Sequence, residues 1–128
     1  MQIHQSAEDY LETILMLNQR MGRVRSIDVV NELGYTKASV SIAMKKLREN
    51  GYVAVDGEGN LTLLEPGREI AERIYSRHRL LTHFFVQLGV DEEVAAEDAC
   101  KAEHILSEQT LEKIREYALL HDAQDSVK

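Results

Sequence analysis

The stretch NELGYTKASVSIAMKKLRENGYV, residues 31–53, decides the fold. Gly34 marks a turn, and Thr36 is a good N-cap for a helix in which Val40, Ala43, Met44 and Leu47 recur at helical spacing. Gly51 supplies its stop. Just upstream, Ser26 is placed to cap a short helix through Ile27, Val29, Val30 and Leu33, ended by Gly34. A short helix, a glycine-containing turn and a second helix that opens on small polar residues form a helix-turn-helix. Thr36, Lys37, Ser39 and Ser41 fall in the first turns, where such a helix meets base edges. Lys45, Lys46 and Arg48 are placed for phosphates, with Arg25 flanking the pair of helices. Lysines on an arbitrary helix are more often just a solvated face, so the neighbouring segments have to decide.

Working outward, residues 6–21 read as a helix with Ser6 as N-cap and Glu8 and Asp9 in the first turn, where the helix dipole favours acids. Tyr10, Leu11, Ile14, Leu15 and Leu17 form its apolar stripe, and Gly22 closes it. Downstream, YVAVDGEGNLTLL (52–64) carries two β-prone runs around DGEGN, a strong hairpin signal. Helix, helix, turn, helix, hairpin is the order of a winged helix-turn-helix, expected over 1–65. Pro66 then opens a long helix to about residue 88, ended by Gly89. Asp91 starts another that is expected to reach about Leu106. Ser107 or Thr110 caps a last one through Leu120, and the polar tail HDAQDSVK (121–128) is expected to fray. The fold class is mainly α, with a second, helical domain over 66–128.

The 128 residues are 44% hydrophobic and 29% charged, which suits a folded soluble chain of one or two small domains. No apolar run approaches the roughly 18 residues a membrane span needs. The start, MQIHQSAEDYLETIL, has acids where a signal peptide needs an apolar run, and a single cysteine cannot form an internal disulfide. A cytoplasmic location is therefore expected. The net charge of −7 argues at first against nucleic acid, but its distribution reverses the argument. Residues 20–48 hold seven basic and two acidic side chains, locally +5, whereas residues 65–128 hold eight basic and fourteen acidic, −6. The basic half coincides with the helix-turn-helix.

The acidic half contains DACKAEHILS, residues 98–107. On a helix, Cys100, Glu103 and His104 at i, i+3 and i+4 project within about a 100° arc. Thiolate, carboxylate and imidazole are all transition-metal donors, and three of them leave an octahedral shell open. Asp9 and Glu12 offer two carboxylates at i, i+3 on the first helix, and His78, in SRHRLL (76–81), offers an imidazole. Each has a bland reading: a cysteine in a core, a solvated Glu-His pair, an acid complementing a helix dipole. A Cys-His nucleophilic pair is poorly supported, because residues four apart on one helix rarely give attack geometry and no Gly-rich elbow accompanies them. Catalysis is not expected.

Taken together, AEDYLETI (7–14), TKASVSIAMKKLRENGYV (36–53), RHRLL (77–81) and GVDEEVAAEDACKAEHILS (89–107) resemble the diphtheria toxin repressor family, and within it the two-domain manganese-responsive branch. The resemblance covers nearly the whole chain. The chain ends before the third, SH3-like domain of many iron-responsive members would fit, so two domains are expected. The resemblance implies a homodimeric, metal-activated repressor that binds a double-stranded DNA operator at metal-uptake genes, with residues 66–128 serving dimerisation and metal binding. The apolar faces of LLTHFFVQLGV (80–90) and LEKIREYALL (111–120) fit such a dimer. It also implies that Asp9, Glu12, His78, Glu103 and His104 are metal ligands on the manganese pattern, one or two ions per subunit.

Cys100 departs from that pattern, which has glutamate there; cysteine is the iron-type residue. The iron type in turn has methionine where this chain has Asp9, and a second-site histidine where this chain has Ala96. Manganese(II) prefers oxygen, whereas iron(II) stands above it in the affinity order and accepts sulfur better. The expected cofactor is Fe2+ or Mn2+, with Zn2+ as a non-physiological occupant that a carboxylate-rich, open donor set would hold in the wrong geometry. An alternative is a winged-helix DNA binder whose acidic half is only a dimerisation or protein-interaction module.

Overall fold

A computed structural model of the chain describes residues 5–127, in two compact units that part between Arg73 and Ile74. Six helices and one small sheet are found among the described residues. Helix α4, Glu65–Gln87, contributes to both units.

The first unit holds α1 (Gln5–Met21), α2 (Ser26–Leu33), α3 (Lys37–Glu49), β1 (Val53–Val55) and β2 (Leu61–Leu63). The apolar stripe of α1 is buried as its spacing requires, and Leu11, Ile14 and Leu17 are among the largest fully buried side chains. Each such side chain stabilises the unit by about 1.5–3 kcal/mol relative to its exposed state. Val29 of α2, Val40, Met44 and Leu47 of α3, and Val53, Leu61 and Leu63 of the hairpin complete this core. The strands pair antiparallel, Val53 opposite Leu63 and Val55 opposite Leu61. Thr62 between them points to solvent.

Local chemistry sets the ends of these elements. Gly34 ends α2 in the left-handed region, φ +72°, and donates its N–H to the Val30 carbonyl at 2.8 Å. Thr36 caps α3 as expected, its Oγ1 accepting the Ser39 N–H at 3.1 Å. In the hairpin loop the Asp56 carboxylate accepts the backbone N–H groups of Glu58 (2.8 Å) and Asn60 (2.9 Å) and the Asn60 amide (3.0 Å). These hydrogen bonds hold its pKa below the ordinary carboxylate value. Gly67 permits a close approach: a Cβ there would collide with the Tyr52 carbonyl.

Two expected caps differ. Helix α1 is already helical at Gln5, so Ser6 lies inside its first turn. The N-cap of α2 is Arg25 rather than Ser26. The Asp28 carboxylate reaches back to accept the Arg25 N–H at 2.9 Å, which satisfies the helix start from within the first turn and leaves the hydroxyl one position late.

The second unit holds the rest of α4, α5 (Glu92–Ala102) and α6 (Glu108–Val127). Leu81, Ala99 and Leu111 form its core, flanked by Leu80, Phe85, Ala102, Leu106 and Ile114. Two sequence expectations are corrected here. Helix α5 ends at Ala102, not near Leu106, and residues 103–105 form a turn. The Glu103 N–H bonds to Ala99 O at 2.9 Å, and the Ala102 carbonyl then accepts from both Ile105 N–H at 3.1 Å and Leu106 N–H at 3.3 Å as the chain turns. The chain must reverse before Ser107, whose Oγ accepts the Thr110 N–H at 3.2 Å as the cap of α6. The tail, in turn, does not fray at residue 121: α6 continues to Val127. Asp122 is held by His83 Nε2 at 2.9 Å and by Gln87 Nε2 at 2.8 Å, which ties this part of α6 to α4.

Candidate metal centre and nucleic-acid face

In the second unit the residue types singled out in the sequence converge on Glu103. Its side chain is 0% exposed. Oε2 lies 3.0 Å from His78 Nδ1, and Oε1 lies 3.4 Å from Nε2 of His104, whose side chain is 1% exposed. Cys100 Sγ lies within 4.8 Å of a Glu103 carboxylate oxygen, and Cys100 itself is exposed. His78 comes from α4, Cys100 from α5, and Glu103 and His104 from the turn after α5. Because α5 ends at Ala102, the set is assembled by a chain reversal rather than by the single helix face expected from i, i+3, i+4 spacing.

Burying a carboxylate costs several kcal/mol unless positive charge or donors share its site. Here the neighbours are imidazoles, which serve either as protonated partners or as neutral metal donors. One carboxylate, two imidazoles and a thiol suit a divalent transition ion.

Arg77, adjacent to His78, was not among the candidates. Its Nη1 donates to the Glu103 carbonyl at 3.2 Å, and its guanidinium pairs with Glu108. It braces the turn that carries Glu103 and His104. Its sequence signal is only its place beside a candidate ligand, which says nothing about a contact 26 residues away.

The first unit carries the other two candidate donors. Asp9 and Glu12 stand one turn apart on α1; Asp9 is half-buried and Glu12 is 5% exposed. Between them, Tyr10 packs edge-to-face on Tyr35, with ring centroids 5.8 Å apart. Burial pushes the Tyr10 phenol above its ordinary pKa. Tyr35 immediately precedes the N-cap of α3, so this turn of α1 touches the start of α3.

The candidate nucleic-acid face is the exposed side of α3. Thr36, Lys37, Ser39, Ser41, Lys45, Lys46 and Arg48 are all exposed, as is Arg25 at the start of α2. Among the described residues Lys37, Lys46 and Arg48 make no ion pair, and Lys45 makes only a long exposed one with Glu49, 4.0 Å. Arg20 and Arg23, counted in the basic segment, are instead bridged within the chain to Glu32 and Glu58. Thr36 and Ser39 bond to each other through their hydroxyls at 2.9 Å, so part of their hydrogen-bonding capacity serves the cap.

Two family models match the chain, one over each half. Residues 2–61 match the iron dependent repressor N-terminal DNA binding domain, and residues 64–120 match the iron dependent repressor metal binding and dimerisation domain. A helix-turn-helix-type transcriptional regulator of Methanocaldococcus jannaschii is 37% identical over 113 residues, 87% of this chain and 90% of the relative. The transcriptional regulator MntR of Bacillus subtilis is 32% identical over 123 residues, 96% of this chain and 87% of the relative. A solved manganese-dependent transcriptional repressor in complex with manganese superimposes with a TM-score of 0.80 at 29% identity over 88% of this chain. The chain spans 52% of the length of that solved chain. Among the described residues no helix is long and apolar enough to cross a membrane. The chain belongs to the diphtheria toxin repressor family of metal-dependent, DNA-binding transcriptional repressors.

Proposed function

We propose that this chain is a cytoplasmic homodimer that binds a double-stranded DNA operator when loaded with ferrous iron or manganese, and thereby holds down genes of metal uptake. The observation that carries the reading is the fully buried Glu103 carboxylate between His78 and His104 with the Cys100 thiol beside it. Cys100, His78, Glu103 and His104 would supply donors from the second unit, and Asp9 and Glu12 from α1. When bound, the ion would supply positive charge to this acidic donor set. On α1, Tyr10, which stands between Asp9 and Glu12, packs on Tyr35 beside the start of α3, so a change at these two carboxylates would be felt at α3. Residues 1–65 are the DNA-reading domain and residues 66–128 the metal-binding and dimerisation domain. Val86, Leu88, Tyr117, Leu119 and Leu120, all exposed, are suited to the dimer contact. In a dimer, two recognition helices held about one helical turn of DNA apart read a two-fold operator.

One soft thiolate among harder donors favours iron(II) over manganese(II), and the exposed cysteine and half-buried aspartate do not make a closed tetrahedral zinc site. The test is operator binding under anaerobic, reducing conditions, titrated with iron(II), manganese(II) and zinc(II), for the native chain and for Cys100→Glu. Activation by iron and manganese is expected. On Cys100→Glu, the ratio of half-maximal manganese to half-maximal iron concentration should fall. Operator binding that is the same with and without metal would leave residues 66–128 as a dimerisation module only.

A further inference from the structure

Ile42 is the one large apolar residue on the exposed side of α3. It is 58% exposed, in the middle of the recognition helix. Helix spacing points Val40, Met44 and Leu47 inward, and these are buried. Ile42 lies off that stripe, among exposed Ser39, Ser41, Lys45 and Lys46. It also stands between two shallow grooves. One is lined by Tyr10, Ala43, Lys46 and Leu47, the other by Ser26, Ser41, Lys45 and Arg48, and Ile42 borders both. It is therefore the crest of the face, with cations on either side.

A single exposed isoleucine is ordinary on a protein surface. On a reading head it has a defined chemical counterpart. The major groove offers one apolar group, the C5-methyl of thymine, and apolar side chains discriminate by covering it. The flanking Lys45, Lys46 and Arg48 bring phosphates to both sides of the crest and favour a polyanion over an apolar protein partner. Thr36 and Ser39 are partly engaged in the cap, which leaves the central turn of α3 as the best-placed reader.

We propose that Ile42 is a specificity-determining residue that covers a thymine methyl in each operator half-site. This rests on the DNA-binding reading of α3. Covering one methyl is worth about a fourfold change in affinity per half-site.

The experiment uses the full metal-loaded chain. A duplex is first selected from a random-sequence library, and each thymine of the selected duplex is then replaced in turn by deoxyuridine, which removes only the methyl. One symmetry-related thymine pair should weaken binding by about fourfold per site on replacement. Ile42→Ala should lose the same factor on the thymine duplex and show no further loss on the deoxyuridine duplex. Ile42→Val, which retains apolar bulk, should keep most of the discrimination. Circular dichroism checks the fold. A selected duplex whose affinity no deoxyuridine changes, or an Ile42→Ala variant with undiminished methyl sensitivity, overturns the role of Ile42 while leaving DNA binding intact. Failure to select any duplex in any metal overturns the DNA-binding reading, and this proposal with it.

Discussion

The two functional regions of this chain solve opposite electrostatic problems. The α3 face keeps its cations in water: Lys37, Lys46 and Arg48 are exposed and make no ion pair among the described residues. Such charges cost nothing to hold and act at long range, but salt screens them. The Glu103 region does the reverse, with a carboxylate and a histidine side chain withdrawn almost completely from solvent. Charges placed there are costly, short-ranged and insensitive to salt, and a change of occupant changes the local structure strongly. A surface built the first way suits a polymer of phosphates, whereas a site built the second way suits a single ion. On the proposed function the contrast also separates what each region would contribute: the exposed cations would provide affinity for any duplex, and the buried cluster would decide when that affinity is expressed.

Substitutions test that contrast. The largest effect is expected from Glu103→Ala or His104→Ala. Each removes a buried donor, and the metal concentration for half-maximal operator binding should rise by about 100-fold or more, so that metal sufficient to saturate the native chain leaves operator affinity near its metal-free level. Helical content by circular dichroism should be retained. Metal-dependent binding that survives in both variants would show that the buried cluster is structural only. A smaller and different effect is expected from Lys45→Ala. It should weaken specific and unrelated duplexes alike, and the slope of log affinity against log salt should shrink by about 1. Metal dependence should be unchanged. A variant with the native slope would place Lys45 away from the phosphates, and a variant with altered metal dependence would erase the separation between the regions.

The fold was more legible than the site. The stripe of α1, the turn at Gly34, the Thr36 cap and the DGEGN hairpin follow from local rules, and each is found where those rules put it. The misplaced ends have local causes too. Asp28 reaches back over Ser26 to the Arg25 N–H, and nothing in the residue type marks that choice. Helix α5 stops at Ala102 without a glycine or proline to announce it, because the Ser107 cap and the Arg77 contacts stabilise the reversal. The last part of α6 persists because His83 and Gln87 hold Asp122 from another helix. For the candidate centre, donor chemistry was readable from Cys100, Glu103, His104 and His78 as residue types. Their convergence was not, since the His78–Glu103 contact joins positions 25 apart through tertiary packing. On α3 the polar and cationic positions were readable, and Ile42 falls off the Val40–Met44–Leu47 stripe, in keeping with its exposure.

Coupling between the two regions is the central claim, and linkage gives its most direct measurement. If metal strengthens operator binding by some factor, operator must strengthen metal binding by that same factor. Calorimetric titration of iron(II) into the anaerobic chain, with and without a saturating selected duplex, measures it. Tightening of metal affinity by the factor seen in operator binding is the expected result. An iron affinity unchanged by DNA would contradict the coupling and reduce the buried centre to a structural element.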